Sequence, residues 1–378
     1  MRKGWEYKKL NEVCEKGASN IVINKLTDNS GEYPLFGASG LVKNIDFFHQ
    51  DKPYIGIVKD GAGVGRVNIY PAYSSLVGTM QYIFPKEGYS IDFIKYFLVK
   101  LDLSHCVSGA TIPHIYFKDY GKENIPTPSL NTQLAIVSEL DKINELIRLK
   151  KEQLKDFDNL AQSLFYEMFG DPVENEKGWE VKKLGDICDK ISNGYNAKLE
   201  EGTYKSEGIM YFRCQNVWRN HFDYSDLVYI DDYTNQKMKS SSLKHNDLLI
   251  TKIGRINTEN SSLGRVSLYE GEDDKANLSG NLCFARLKKD AAIHKFILYI
   301  LISNQFRNYI RRTTVGGIDK RALNVRQISS FPIISPPLSL QRLFAQRIEQ
   351  IEREKSEVQK SIQDLETLLA SRMQYWFK

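Results

Sequence analysis

Arg66 closes the run Gly61-Ala62-Gly63-Val64-Gly65, Lys59 stands just before it, and a second Gly-Arg-Val triplet follows at Gly264-Arg265-Val266. Cationic side chains on glycine-rich loops suit two kinds of chemistry. They can cradle the phosphates of a nucleotide, or they can grip the backbone and base edges of a nucleic acid. The first reading is weak here. Gly61-x-Gly63-x-Gly65 leads into an apolar strand pattern rather than a helix, and the later copy lacks its first two glycines. A hairpin whose glycines adopt positive φ is the simpler account.

Catalytic patterns are missing elsewhere. There is no GxxxxGK(S/T), no GxSxG and no Asn/Asp-Pro-Pro-aromatic motif of an amino-methyltransferase. Glu6-Tyr7-Lys8 and Glu180-Val181-Lys182 give the ExK half of a nuclease motif. The first has no upstream acid to complete a metal site, and both read as surface charges. His105, His114 and the other histidines show no zinc spacing, and His114 reads as a packed side chain in an apolar-aromatic setting. Cys14, Cys106, Cys188, Cys214 and Cys283 form no CxxC pair and read as reduced, buried thiols of a cytoplasmic protein. The first residues hold no apolar signal-peptide core, and no run of about 18 apolar residues could span a membrane. Net charge is +5, which mildly favours a polyanionic partner.

The elements that would position these cations are duplicated. GWEYKKLNEVCEK at 4–16 returns as GWEVKKLGDICDK at 178–190. PSLNTQLAIVSELDKI from Pro128 returns as PPLSLQRLFAQRIEQI from Pro336, and that register holds without a gap to the end of the chain. Two units follow, each a variable region and then a segment of roughly forty residues. The expected divisions are a recognition domain over 1–127, a helix over 128–170, a second recognition domain over 178–335 and a second helix over 336–378.

In the forty-residue segments Ile136, Leu140, Ile143, Ile147, Leu154, Phe157, Ala161, Leu164 and Met168 alternate steps of three and four. Phe344, Ile348, Ile351, Val358, Ile362, Leu365, Leu369 and Trp376 do likewise. That is a coiled-coil seam, with Lys150 and Lys355 as single polar residues able to fix register. The short linker GDPVENEK forces the second helix to run back along the first, so the pair is expected to be antiparallel and pseudo-two-fold. A helix of roughly 35 residues spans about 50 Å. Two heads that far apart would address DNA sites separated by about 10–15 base pairs.

The variable regions alternate apolar strands with glycine turns, and FIKYFLVKL (93–101) and KFILYILISNQFRNYI (295–310) read as apolar helices. The fold class is therefore α+β: two mixed α/β domains separated by two long antiparallel helices. YIGIVKDGAGVGRVNIY (54–70) aligns with LLITKIGRINTENSSLGRVSLY (248–269), and SGATIPHIYF (108–117) occupies the place of VGGIDKRAL (315–323). Trp5, Leu10, Val13 and Cys14, and their counterparts Trp179, Leu184, Ile187 and Cys188, have helix-like spacing and are expected in the cores.

Base edges and phosphates favour Arg, Lys, Asn and Gln. The DNA-contact candidates are Lys59 and Arg66 in the first unit. In the second they are Lys252, Arg255, Arg265, Lys320 and Arg321, with Arg213, Gln215 and Asn216 added.

The GW-x(2)-KKL openings, the Gly-Arg-Val hairpins, the S-G-A-T-I-P-H-I segment and the P-x-L-x(2)-Q helix entries together resemble the specificity subunit of type I restriction-modification systems. The resemblance covers essentially the whole chain. It departs in the second unit, where GGIDKRA (316–322) replaces G-A-T-I-P-H (109–114) and puts equivalent contacts in doubt. It implies a non-catalytic subunit without a cofactor of its own that reads a bipartite sequence in double-stranded DNA. It also implies two modification subunits as partners, which methylate adenine N6 with S-adenosylmethionine, and a restriction subunit that can join. The rival readings are a stand-alone nuclease with duplicated recognition domains and a coiled-coil scaffold that binds no nucleic acid.

Overall fold

The computed structural model describes residues 5–109, 111, 113–195, 204–258, 260–314, 316–317 and 319–378. The chain forms two compact units that are discontinuous in sequence. Unit 1 comprises Met1–Glu152 and Val358–Lys378, and unit 2 comprises Gln153–Glu357. Each unit is mixed α+β and includes half of each long helix.

The units repeat one set of elements. In unit 1 an antiparallel sheet has the order Cys14–Ala18, Met80–Pro85, Tyr54–Val58, Val67–Tyr70. In unit 2 the order is Cys188–Asn193, Leu282–Leu287, Leu248–Thr251, Val266–Leu268. The central strand of each, YIGIV and LLIT, is buried along its length, which explains its unbroken apolar run. A smaller sheet of three strands, with one parallel pairing, accompanies each.

The duplicated opening passages are joints. Tyr7–Lys9 pairs with Asn124–Pro126, and Val181–Lys183 pairs with Pro332–Ile334. In both units the chain entering the domain is thus hydrogen-bonded to the chain leaving it. The expected helix-like spacing holds for a single turn only, Leu10–Val13 and Leu184–Ile187, after which Cys14 and Cys188 begin strands. Leu10, Val13, Cys14, Leu184, Ile187 and Cys188 are buried as expected. Trp5 and Trp179 are only half-buried: Trp5 stacks on Trp376 at 6.0 Å, and Trp179 donates its indole N–H to the Phe169 carbonyl. Three of the cysteines are buried, with the Cys14, Cys188 and Cys283 thiols each pushed up to about 12 by desolvation. Cys106 and Cys214 are only half-buried, which corrects the expectation for those two.

The helix expected over 295–310 is two helices, His294–Ile302 and Asn304–Thr313. Ser303 breaks it, because its hydroxyl caps the second helix by accepting from the Phe306 N–H.

The long helices run Leu130–Phe169 and Leu338–Phe377, 40 residues each. Their entry motif has a structural cause. Gln133 is buried, donating to the Pro128 carbonyl at 2.9 Å and accepting from the Ser90 N–H at 2.9 Å. Gln341 repeats this with the Pro336 carbonyl at 2.8 Å and the Ile293 N–H at 3.0 Å. Each glutamine ties a long helix to the start of an earlier helix of its domain, Ile91–Leu101 or His294–Ile302.

Within each unit the helix halves are antiparallel. Glu139 meets Arg372 and Lys151 meets Glu366 in unit 1; Asp158 meets Lys355 and Phe165 meets Phe344 in unit 2. Lys355 is thus a seam lysine with an acid opposite it. The seam residues Ile136, Leu140, Ile143, Ile147, Phe344, Ile348, Ile351, Val358 and Ile362 are buried. Near the C-terminal ends the buried position shifts by one, from Leu164 to Phe165 and from Trp376 to Phe377. There the helix end packs on a globular domain, as when Phe377 meets Phe93 of unit 1 at 5.1 Å, and the 3.6-residue turn has drifted from the heptad.

Glu139 accepts from the Arg372 guanidinium and from the Trp376 indole N–H at 3.1 Å. Hydrogen bonding to Arg372 holds its carboxyl below the usual range. A carboxyl with a lowered folded-state value stabilises fully above its unfolded value, and that contribution is lost as pH falls through the lowered one. Arg372→Ala is therefore expected to destabilise only slightly at neutral pH, because the pair is a third exposed and screened by solvent. Urea melts of both proteins across acid pH should converge as Glu139 protonates; a gap that persists unchanged would show that charge is irrelevant there.

Candidate nucleic-acid interface

The glycine loop of unit 1 connects Tyr54–Val58 to Val67–Tyr70. Gly61, Gly63 and Gly65 have φ of 84°, 86° and 85°, so each needs the left-handed region. The loop closes through Gly65 N–H to the Val58 carbonyl at 2.8 Å and Val58 N–H to the Arg66 carbonyl at 3.0 Å. A Cβ on Gly63 would stand 3.1 Å from the Arg66 guanidinium, which lies across it and donates to the Ala38 carbonyl. This is a hairpin and not a phosphate loop at a helix start.

Pro113 and Ile115 lie against this loop. Gly61 N–H donates to the Pro113 carbonyl and Ile115 N–H to the Lys59 carbonyl, both at 2.9 Å. His114 is half-buried and edge-on to Tyr116, in keeping with a packed side chain. Ala110 and Ile112 of the G-A-T-I-P-H pattern lie outside the described residues.

Unit 2 makes the same closure on a different sequence. Gly264, φ 68°, donates to the Thr251 carbonyl at 2.9 Å, and Thr251 N–H to the Arg265 carbonyl at 3.0 Å. Leu323 N–H meets the Lys252 carbonyl at 2.8 Å, as Ile115 meets Lys59. GGIDKRA thus keeps the docking of the segment it replaces, although Ile318 lies outside the described residues. The contact survives the sequence change because backbone groups make it.

A feature of unit 2 among the described residues is a ribbon of Ile253–Arg255 paired with Lys320–Ala322. Arg255 stands opposite Lys320 and Gly254 opposite Arg321. Three of the cations singled out from the sequence, Arg255, Lys320 and Arg321, are therefore gathered on one ribbon, with Lys252 next to it in the chain. Arg255 and Lys320 are exposed. Asp319 lies 3.4 Å from Arg255, a solvated pair worth little. Burial holds the Lys252 ammonium below the ordinary lysine range, and it donates to the Asn193 side chain at 2.7 Å. Arg321 donates to the Arg311 and Thr314 carbonyls at 2.9 Å each, which steadies the ribbon.

The remaining candidates divide. In unit 1 Lys59 is half-buried beside Asp60 at 3.7 Å, and Arg66 is exposed. Arg213 and Gln215 both engage Asp226. Asn216 is fully buried, its amide donating to the Asp223 carbonyl and to Asp226, so it holds the 213–226 loop. Arg265 is 7% exposed and donates to the Ser261, Val217 and Asn260 carbonyls, with Trp218 3.7 Å away. Internal partners already take up the polar groups of both side chains. Arg66 and Arg265 thus share a place in the repeat and not an environment.

Sequence reasoning missed Arg219, Arg307 and Arg311. Arg219 and Arg307 border one cavity with Arg265. No local pattern marks them, since they come from segments about ninety residues apart. Glu180 and Lys182 form an exposed pair at 3.4 Å, so this ExK is surface charge. Among the described residues no group of three or more His, Cys, Asp and Glu is placed to hold a metal, and no helix is long and apolar enough to cross a membrane.

Residues 2–156 and 176–367 match the family model of the type I restriction modification DNA specificity domain, which covers most of the chain. The chain is similar to the type I restriction enzyme MjaIX specificity subunit of Methanocaldococcus jannaschii, with 23% identity over 90% of this chain and 85% of that protein. Its fold is similar to the S subunit of a type I restriction-modification system from M. genitalium, at a TM-score of 0.58, 14% identity and coverage of 99% and 96% of the two chains. A chain from a structure concerning complex assembly and conformational transition of the type I R-M system matches at a TM-score of 0.60, with 18% identity and coverage of 100% and 98%.

Proposed function

We propose, starting from the fact that this chain belongs to the type I restriction-modification DNA specificity family, that it recognises an asymmetric two-part target in double-stranded DNA. Unit 1 reads one half through Lys59 and Arg66. Unit 2 reads the other through Lys252, Arg255, Lys320 and Arg321. Two modification subunits are then held on the target to methylate adenine N6, with S-adenosylmethionine bound by them and not by this chain. A restriction subunit can join the same assembly. The chain itself contributes recognition and no catalysis.

One observation carries this reading. The two units close the same hairpin with matching backbone hydrogen bonds but present different cations on it. A repeated scaffold with divergent side chains suits two different half-sites. The helices run unbroken for 40 residues, which supports helix length as the determinant of the spacing between the halves.

Arg255→Ala combined with Lys320→Ala is expected to weaken binding of the cognate duplex by about 10- to 100-fold. It should relax base preference in one half of the target and leave the other half as strict as before. Binding selection on randomised duplexes with the full chain and its modification subunits reads this directly. Loss of preference in both halves together would sink the assignment of one half to each unit.

A further inference from the structure

Beside the glycine loop of unit 1 lies an exposed apolar patch that its cations do not account for. Tyr33–Gly37 and Gly40–Ile45 form a two-stranded antiparallel hairpin turned by Ala38 and Ser39, with Gly40 at φ 110°. Its second strand is at the edge of the small sheet. Leu35 pairs with Lys43 but Phe36 with Leu41, so Val42 is the extra residue of a bulge. A bulge breaks the alternation of faces, and here Leu41, 61% exposed, and Val42 are exposed in succession. A Cβ on Gly37 would stand 3.0 Å from Val42 Cγ2, so a side chain there would press Val42 out of its place.

Val22 and Ile23, also exposed, join this hairpin from a second segment. Ile23–Leu26 is a single helical turn, and Lys43 of the hairpin donates to the Leu26 carbonyl at 2.7 Å. Gly78 N–H donates to the Ile21 carbonyl at 2.8 Å and Val77 N–H to the Phe36 carbonyl at 2.9 Å. Residues 77–78 therefore hold the turn on one side and the hairpin on the other. The next residue, Thr79, accepts from the Lys59 N–H at 3.0 Å, and the Arg66 guanidinium donates to the Ala38 carbonyl at the hairpin tip. Single apolar side chains on a surface are ordinary, but four on adjoining segments form a patch that asks for a partner.

Unit 2 has a different chemistry at this place. Its corresponding strands, Ile209–Phe212 and Val228–Ile230, make the same antiparallel pairing, and the first of them has the same parallel neighbour. They are joined by residues 213–227, which include Arg213, Gln215 and Asn216. One unit puts apolar side chains where the other puts polar ones.

We propose that Leu41 and Val42, flanked by Val22 and Ile23, are specificity-determining residues of unit 1 that pack on the C5-methyl group of a thymine in its half-site. The inference rests on the proposed DNA-reading function and names the base chemistry of one half. The major groove admits a two-stranded β-ribbon, and thymine is the base that presents an apolar group there. DNA is the occupant because the patch is continuous with Lys59 and Arg66, whose charge suits the phosphates on either side of the groove.

The half-site of unit 1 is the one whose base preference survives Arg255→Ala with Lys320→Ala. Each thymine in that half of the cognate duplex is replaced in turn by deoxyuridine, which removes the methyl group and keeps the hydrogen-bonding edge. With the full chain and its modification subunits, at least one replacement should weaken wild-type binding by about fourfold, the worth of one buried methyl. Leu41→Ala with Val42→Ala should bind the thymine and uracil duplexes alike. Arg66→Ala should weaken both and keep their ratio. A loss of folded protein lowers both affinities together and leaves the ratio alone. Leu41→Ala by itself, with a reduced ratio expected, replaces the pair if the pair does not fold. No uracil effect in wild type, a half-site without an A·T pair, or a ratio that survives in the double variant overturns the inference and leaves the DNA-reading function standing. A wild-type chain that prefers no duplex overturns both. A double variant that keeps the ratio but loses its modification subunits shows a protein-docking surface and overturns the thymine contact.

Discussion

Phe344→Ala is expected to destabilise unit 2 by about 3–5 kcal/mol, the range for emptying an aromatic site in a close-packed core. Phe344 is fully buried where the second long helix begins. Its ring meets Phe165 at 5.6 Å, Phe169 at 5.4 Å and Tyr299 at 5.2 Å. Phe165 and Phe169 belong to the end of the first long helix and Tyr299 to the preceding helix of the domain. One side chain thus joins three elements, and a void there cannot be filled without moving a helix. The adjacent Leu343 is 41% exposed and supplies the control. Leu343→Ala should stay within about 0.5 kcal/mol of wild type. Urea midpoints with unchanged slopes measure both; equal losses for the two would remove the special role of the aromatic cluster.

A heptad inserted into both long helices should change which target is bound. Lys151 faces Glu366 and Asp158 faces Lys355, so insertions after Lys155 and after Lys360 fall at matched levels of the antiparallel pair. A heptad restores the seam to the same face, and the added rise of about 10 Å corresponds to at most about three base pairs. The preferred spacer should lengthen within that limit, with the half-sites themselves unchanged. A four-residue insertion in one helix alone would rotate the seam out of register and should abolish binding at every spacing. Selection on duplexes with varied spacers gives the result. An unchanged spacer in the heptad variant would show that helix length does not set it.

Much of this was legible from residues close together in the chain. Period 3.5 marks the long helices because an amphipathic seam is a local pattern. The three glycines of 61–65 announce a hairpin because positive φ is a property of single residues. Less legible were the ends of elements. Ser303 splits one apolar run into two helices through a cap that depends on a single hydroxyl. Leu164 and Trp376 yield the buried place to Phe165 and Phe377 because the helix ends there pack on domain residues, Phe296 and Phe93, as well as along the seam.

The functional side chains show the limit most clearly. The sequence by itself determined that the chain is two copies of one plan, with cations at matching turns. Only the tertiary structure decided which cations are available. Arg66 and Arg265 occupy the same place in the repeat, yet one is exposed and the other is enclosed by carbonyls and an indole. Arg219 and Arg307 carry no motif and border one cavity only once the chain has folded. The physical reason is one of range. Turns, caps and helix seams depend on neighbours within a few residues. Exposure and electrostatic company depend on whichever distant segments fold against a side chain, and a repeat in the sequence does not repeat those.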